Sequence, residues 1–167
     1  MPRRKKLRLP LDAYTKPGAY FITICSQNKR PLFGYFENDI LYYQPCGQMV
    51  IRYWRRLPMR FIGIGLDKFI LMPNHLHGIL WIHDIDENQF EGDQAPSIPH
   101  VIQWFKSITT VIYCRGVDND GWTKFKSRLW QRSYYDRVIR SKDELASIRR
   151  YIDQNPQRWF EDKYYLD

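Results

Sequence analysis

Residues 67–82, DKFILMPNHLHGILWI, decide how the centre of this chain folds. Two apolar runs, 67–72 and 75–82, flank Pro73-Asn74, a dipeptide typical of tight turns, which predicts an antiparallel hairpin. Alternate side chains of a strand share a face, so His75 and His77 should point to the same side. Such a pair is half of a metal site, although histidines at this spacing also occur on ordinary sheet surfaces.

Outward from this hairpin, strand and helix signals alternate. Strands are predicted at 19–25 and about 129–139, helices at 45–57, 98–114 and from Ser141 to near Asn155, and loops at 84–96 and 116–126. The last helix begins with a capping box, Ser141-Lys142-Asp143-Glu144, and Pro156 forces its end. This order predicts an α+β fold, a ferredoxin-like antiparallel sheet with helices packed on one face.

Length and composition favour one domain with a substantial core, because 44% of the 167 residues are hydrophobic. We expect a basic N-terminal tail at 1–12 and a single domain at 13–167. No apolar stretch approaches the roughly 20 residues that span a bilayer, and we therefore expect a cytoplasmic protein. The cysteines Cys25, Cys46 and Cys114 are odd in number and widely spaced, which predicts buried thiols.

The charge of the chain indicates a polyanionic partner. The 26 Lys and Arg against 18 Asp and Glu leave a net charge of +8, and five of the first eight residues are basic. Nucleic acid is the commonest partner of a small, basic, aromatic-rich domain. A tail of this kind could follow a phosphate backbone, or it could be a solvated terminus that keeps the protein soluble.

Two polar positions stand out on the last predicted helix. Leu145, Ile148 and Ile152 form its apolar stripe, while Tyr151 and Asn155 lie one turn apart on its flank. Side chains on such a flank can line a functional site. Alternatively, Tyr151 is a boundary residue with its ring in the core and its hydroxyl in water.

Six motifs, in order and along almost the whole chain, carry a family resemblance. They are Arg8-Leu9-Pro10, Gly18-Ala19-Tyr20-Phe21-Ile22-Thr23, Met72-Pro73-Asn74-His75-Leu76-His77-Gly78, Phe105-Lys106-Ser107, Trp130-Gln131-Arg132 and Tyr151-Ile152-Asp153-Gln154-Asn155-Pro156. The set resembles the REP-associated tyrosine transposases, which are chromosomal relatives of the single-strand transposases of small insertion sequences and belong to the HUH nuclease group.

The resemblance implies a metal-dependent endonuclease and strand transferase that cuts single-stranded DNA beside hairpins of repetitive extragenic palindromes. By motif matching, His75, His77 and Asn155 bind the metal, and Tyr151 is the nucleophile that forms a 5′-phosphotyrosine. The cofactor is then a divalent metal, Mg or Mn. This chemistry is reasonable, because a divalent ion polarises the phosphodiester and a phenolate leaves readily enough for the bond to be resealed.

We expect two groups of DNA contacts. One is the basic tail, with Arg3, Arg4, Lys5, Lys6 and Arg8. The other comprises Lys106 and Ser107, which match a family motif, and Arg137, which stands where many relatives carry a histidine. Arginine keeps a phosphate contact but removes a group that titrates near pH 7, so activity could be weakened or lost.

Two other functions remain open at this point. One is a binding-only protein that recognises hairpin DNA or RNA, for which Arg137 is the best argument. The other is a histidine-dependent hydrolase of small phosphate esters. We expect single-stranded or hairpin DNA as partner, and therefore a nucleoid-associated location, with no membrane. We also expect a monomer, with a dimer as the alternative.

Overall fold

The computed structural model describes residues 15–84 and 97–165, and the predicted basic tail and residues 85–96 lie outside that part. Its strands are β1 (Gly18–Cys25), β2 (Gly34–Glu37), β3 (Ile40–Tyr43), β4 (Ile64–Met72), β5 (His75–Ile82) and β6 (Tyr135–Ile139). Its helices are α1 (Pro45–Arg55), α2 (Leu57–Arg60), α3 (Ile98–Asn119) and α4 (Lys142–Gln154). Four strands form an antiparallel sheet in the order β4-β5-β1-β6. The predicted α+β class is confirmed.

The predicted central hairpin is confirmed. β4 and β5 join at Pro73-Asn74, and Met72 pairs with His75 across the turn. β4 begins at Ile64, earlier than predicted, because a shift of register between Leu66 and Phe69 lets the strand continue past an irregularity. The two histidines therefore open β5, an interior strand between β4 and β1.

Side chains of β1 alternate between two cores. Tyr20, Ile22 and Ile24 join the larger core, to which α1 and α3 contribute, whereas Ala19 and Phe21 join a smaller core on the other face. The smaller core includes apolar residues of α4. Two long helices thus cover one face as predicted, while α4 covers the opposite face, and the sheet lies between them.

The helices differ from the predictions in their ends. The helix predicted at 45–57 is interrupted at Arg56, because Pro58 cannot continue the hydrogen bonds of α1 and restricts the residue before it. α3 continues beyond residue 114 into the predicted loop. Gly116 lies in this extension, and Trp122 packs so closely on it that a Cβ at this position would clash with the ring. The predicted cap of α4 is confirmed, with the Ser141 hydroxyl accepting from the Glu144 N–H.

The last strand is shorter than predicted. β6 spans only Tyr135–Ile139, and the earlier residue Trp130 makes a single bridge to Ser26. Between these segments the Lys106 ammonium group donates to the carbonyl oxygens of residues 131–133. In a regular strand these carbonyl oxygens would accept hydrogen bonds from the backbone of a neighbouring strand, but here they accept them from a side chain.

Some elements were not predicted, among them a short 3-10 helix at Gln27–Lys29. The β2-β3 hairpin turns at Asn38-Asp39, both with positive φ, and this pair between short apolar runs is a turn signal that the sequence analysis missed. A 3-10 helix at Pro156–Glu161 follows α4 and packs Trp159 on Phe36.

The cysteine prediction holds in part. Cys25 and Cys46 are buried thiols, but Cys114 is exposed because it lies on an outward position of α3. Within the described ranges, none of the helices is long and apolar enough to cross a membrane.

Candidate active site

The two histidines lie side by side on the sheet face that α4 covers. His75 is paired with Cys25 and His77 with Thr23 of β1, and the imidazole centroids are 4.5 Å apart. Both side chains are fully buried, and the ring of Phe21 stacks on His77. The predicted shared orientation of the two histidines is confirmed, and they are not an exposed sheet surface.

Each imidazole is held through its Nδ1 atom. His75 Nδ1 lies 2.8 Å from Asn74 Oδ1, while the Asn74 amide nitrogen donates to two backbone carbonyls. Because Oδ1 can only accept, His75 Nδ1 carries the proton and Nε2 presents its lone pair. His77 Nδ1 lies 2.7 Å from the hydroxyl of Thr23. Such contacts fix the ring orientation of metal-binding histidines, and the sequence analysis missed both Asn74 and Thr23 as site residues.

Asp162 is the third member of a group of possible metal ligands. One nitrogen of His75, one of His77 and one carboxylate oxygen of Asp162 all lie within 4.8 Å of one another. Asp162 follows the 3-10 helix Pro156–Glu161, which returns the chain to the histidines. The sequence analysis missed it, and its position a few residues after the Asn155-Pro156 helix end is the only signal that could have indicated it.

Asn155, the predicted third ligand, lies beside this group. Its Nδ2 donates to Asp162 Oδ2 at 3.0 Å. Its Oδ1 and His75 Nε2 are buried and have no hydrogen-bond partner among residues 15–84 and 97–165. A buried polar atom without a partner costs about 1–3 kcal/mol, and one cation could satisfy both atoms. The mixed nitrogen and oxygen donors therefore fit a divalent metal, and metal binding by Asn155 itself stays a prediction.

Burial lowers the pKa of both imidazoles below their ordinary value. For His75, lost hydration outweighs the opposing effect of the Asp162 carboxylate, and for His77 the adjacent His75 lowers the pKa further. Both rings are therefore neutral at pH 7. A neutral ring is the form in which a nitrogen lone pair can bind a metal.

Tyr151 reaches this group from α4. Its hydroxyl oxygen lies 3.2 Å from His77 Nε2, and its ring meets Phe21 edge to face. The residue is 39% exposed, so the ring is open to the solvent on one side. Burial, with the negative charge of Asp162, raises the pKa of Tyr151 to about 12. The phenol is therefore protonated at pH 7, and a nearby base or cation is needed to ionise it.

One sequence comparison decides the family. A protein of Haemophilus influenzae, described as uncharacterized, is 33% identical over an alignment of 179 positions that covers 98% of this chain and 94% of that protein. This chain belongs to the same family. No protein-family model matches the chain.

Two solved structures share the fold of this chain. One is a REP-associated tyrosine transposase bound to a REP hairpin, with a TM-score of 0.62 and 18% identity over 98% of this chain and 77% of that one. The other is a predicted transposase of Deinococcus radiodurans, with a TM-score of 0.50 and 15% identity over 92% and 97%. The fold expected from the sequence resemblance, that of a REP-associated tyrosine transposase, is confirmed.

A cleft of about 570 Å³ opens beside Tyr151 and His77. Its charged lining residues are three cations, Arg137, Arg158 and Lys163, and two acids, Glu161 and Asp162. The cations can contact an anionic phosphate, while Asp162 belongs to the group of possible metal ligands. The cleft therefore offers one region for a phosphate and another for a metal.

The residues predicted to bind DNA are dispersed. Arg137 lines the cleft but pairs with Glu144 at 2.6 Å. Lys106 bonds backbone carbonyls, as described above, and Ser107 is exposed on α3. Five further positions lie outside the described residues, namely Arg3, Arg4, Lys5, Lys6 and Arg8. Their contacts with DNA stay predictions.

Proposed function

We propose that the protein is a metal-dependent endonuclease and strand transferase for single-stranded DNA, with Tyr151 as its nucleophile. The observation that carries this proposal is the 3.2 Å between the Tyr151 hydroxyl and His77 Nε2, beside the buried donors of His75 and Asp162. The fold shared with a transposase that binds a REP hairpin supports hairpin DNA as the partner. DNA transposition or recombination would be the corresponding process.

Different residues of the candidate site would bind the metal and orient its ligands. His75, His77 and Asp162 would hold the cation, with Asn155 as a further oxygen donor. A bound divalent cation, Mg or Mn, stabilises the negative charge that gathers on the scissile phosphate. Asn74 and Thr23 keep the two imidazoles oriented through their Nδ1 atoms.

Tyr151 would carry the covalent step. Its oxygen forms a bond to phosphorus as the bond to the 3′ oxygen breaks, which leaves a 5′-phosphotyrosine and a free 3′-hydroxyl. The phenolic proton can pass to water in the open cleft, and the departing 3′ oxygen can take a proton from water there, because Tyr151 is partly exposed. Attack by a 3′-hydroxyl on the phosphotyrosine reverses these bond changes and reseals the strand.

A covalent-adduct assay tests this function. The probe is a hairpin with a randomised single-stranded flank and a fluorophore at its 3′ end, because the tyrosine would retain the downstream fragment. With Mn²⁺ we expect labelled protein on a denaturing gel, and none when a chelator is present. Tyr151→Phe should abolish the band. Tyr135→Phe is the matched control and should retain it, because Tyr135 lines the same cleft without a hydroxyl contact to His77.

The outcomes separate the candidate functions. Labelled protein from Tyr151→Phe would show that another residue is the nucleophile. Tight binding of the probe without any adduct would favour the second candidate, a binding-only protein for hairpin DNA or RNA. The observation that favours that candidate is Arg137, which replaces the histidine expected from the family resemblance and whose guanidinium is paired with Glu144.

A further inference from the structure

One segment outside the cleft carries positive charge without compensating acids. Residues 40–66 contain four arginines and no Asp or Glu. We name Arg52, Arg55, Arg56 and Arg60 the arginine face, and all four are exposed on α1, α2 and the residue between them. None of them forms an ion pair with any residue in the described part of the chain. A run of uncompensated cations attracts polyanions.

Aromatic rings hold three of these guanidinium groups in place. Arg55 lies over Phe69 at 5.7 Å, Arg56 over Tyr53 at 5.5 Å, and Arg60 over Phe61 at 5.2 Å. A guanidinium stacked on a ring keeps its charge, and its N–H groups stay available as hydrogen-bond donors. Because its side chain is already ordered, it loses less conformational entropy when it then binds a phosphate. The arginine face is therefore partly ordered before any ligand arrives.

The arginine face and the candidate active site lie on opposite sides of the sheet. Val50 and Trp54 of α1 belong to the larger core, whereas Tyr151 contacts Phe21 of the smaller core. The outer side of α1 bounds an open groove of about 560 Å³, which Arg52, Arg55 and Arg56 line together with Met59. A ligand in this groove would not occupy the cleft beside Tyr151.

We propose that the arginine face binds the phosphate backbone of double-stranded DNA. The rings beneath the guanidinium groups are covered or only partly exposed, and the face thus offers charge but no aromatic platform for unpaired bases. Phosphate contacts of this kind position a duplex without reading its sequence. A membrane surface fits less well, because the apolar side of α1 is buried in the core, and the exposed Met59 and Ile62 are too few to form an apolar face that enters a lipid layer.

This inference goes beyond the proposed tyrosine chemistry and does not depend on it. β4 is an edge of the sheet, and Phe69 on β4 lies under Arg55. The cleft is lined by Tyr135 and Arg137 of β6, the opposite edge, so a DNA molecule with a paired stem and an unpaired flank would have to span the width of the sheet to touch both sides. The stem would then lie on the arginine face and the flank in the cleft.

Charge reversal tests the arginine face. The probe is a blunt, fluorescent DNA duplex without single-stranded ends, and the measurement is its affinity by anisotropy over a range of salt concentrations. For R52E/R56E we expect at least a tenfold weaker affinity at low salt. We also expect the slope of log affinity against log salt concentration to fall by the amount that corresponds to about two phosphate contacts. The charge-preserving variant R52K/R56K is the matched control and should stay within a few-fold of the wild type. Melting followed by circular dichroism checks that both variants fold.

Each outcome decides one point. Equal duplex affinity in R52E/R56E and the wild type would overturn the proposal. So would binding of the wild type to vesicles rich in phosphatidylglycerol, lost in R52E/R56E, without binding of the duplex. The tyrosine adduct on a short unstructured strand should form equally in both proteins. Loss of duplex binding with a normal adduct would support duplex binding by the arginine face. Absence of the adduct from both proteins would contradict the proposed function of the cleft and leave the arginine face untouched.

Discussion

Asp162 Oδ2 lies 3.8 Å from Nε2 of His75, both of them buried. This separation is too long for a hydrogen bond, but two ligands about 2.0–2.2 Å from one cation can lie that far apart. The Asn155 amide group holds the carboxylate at 3.0 Å, and Asn74 holds the imidazole from its other nitrogen. The geometry thus prepares Asp162 and His75 to share an ion.

Removing the Asp162 carboxylate should weaken metal binding most directly. We expect Asp162→Asn to bind Mn²⁺ at least tenfold more weakly in titration calorimetry, because one anionic ligand is lost. Glu161→Gln is the matched control, since Glu161 lines the cleft but is not in the ligand group. Equal Mn²⁺ affinity of Asp162→Asn and the wild type would exclude Asp162 as a ligand.

The Thr23 hydroxyl should contribute to metal affinity through His77. Thr23→Val keeps the shape of the side chain but removes the 2.7 Å contact with His77 Nδ1. We expect a 10–100-fold loss of Mn²⁺ affinity, the usual effect of removing such a partner, with Thr23→Ser restoring most of it. Similar losses in the Val and Ser variants would point to a packing effect instead.

The ion pair between Asp67 and Arg149 should make stability depend on pH. Hydrogen bonds from Arg149 lower the pKa of Asp67 to about 2. A lowered carboxyl pKa stabilises the fold above about pH 4, where the unfolded chain is also ionised, and this contribution disappears as the pH falls towards 2. Wild type should therefore melt a few degrees above Asp67→Asn at pH 6, and the difference should shrink in acid.

Asp153→Asn is the control for that measurement. Asp153 pairs with Lys68, but about half of each side chain is exposed, and exposed pairs contribute little. Its melting temperature should follow that of the wild type across the same pH range. A constant difference between wild type and Asp67→Asn from pH 6 to pH 2 would contradict the linkage.

Gly78 should tolerate no side chain. A Cβ at this position would lie 2.5 Å from the Trp54 ring, inside the larger core. We expect Gly78→Ala to lower the free energy of unfolding by about 1–3 kcal/mol, the usual cost of overpacking, as measured by urea denaturation. In a Trp54→Phe background the smaller ring should reduce this cost, and an equal cost in both backgrounds would rule out the contact as its cause.

Local patterns were enough to predict much of the fold and part of the site. Pro73-Asn74 between two apolar runs predicted the central hairpin, and the two-residue period of its second strand predicted that His75 and His77 share a face. Ser141 and Pro156 predicted the limits of α4. These features depend on backbone geometry over a few residues, so neighbouring residues determine them.

Ends of elements were predicted less well where a distant group intervenes. Lys106 of α3 binds carbonyl oxygens ahead of β6, and Trp122 packs back on Gly116 near the end of α3. Neither contact follows from periodicity. Each depends on which segments meet after the chain has folded.

The sequence by itself determined the central hairpin, the shared face of His75 and His77 and the cap of α4, because residue spacing and turn signals are local properties. Only the tertiary structure brought Tyr151 to His77 and added Asp162, Thr23 and Asn74 to the group. Those residues come from α4, the C-terminal segment, β1 and the hairpin turn. A metal ligand set needs donor atoms within a few ångströms of one another, and packing across the sheet sets such distances.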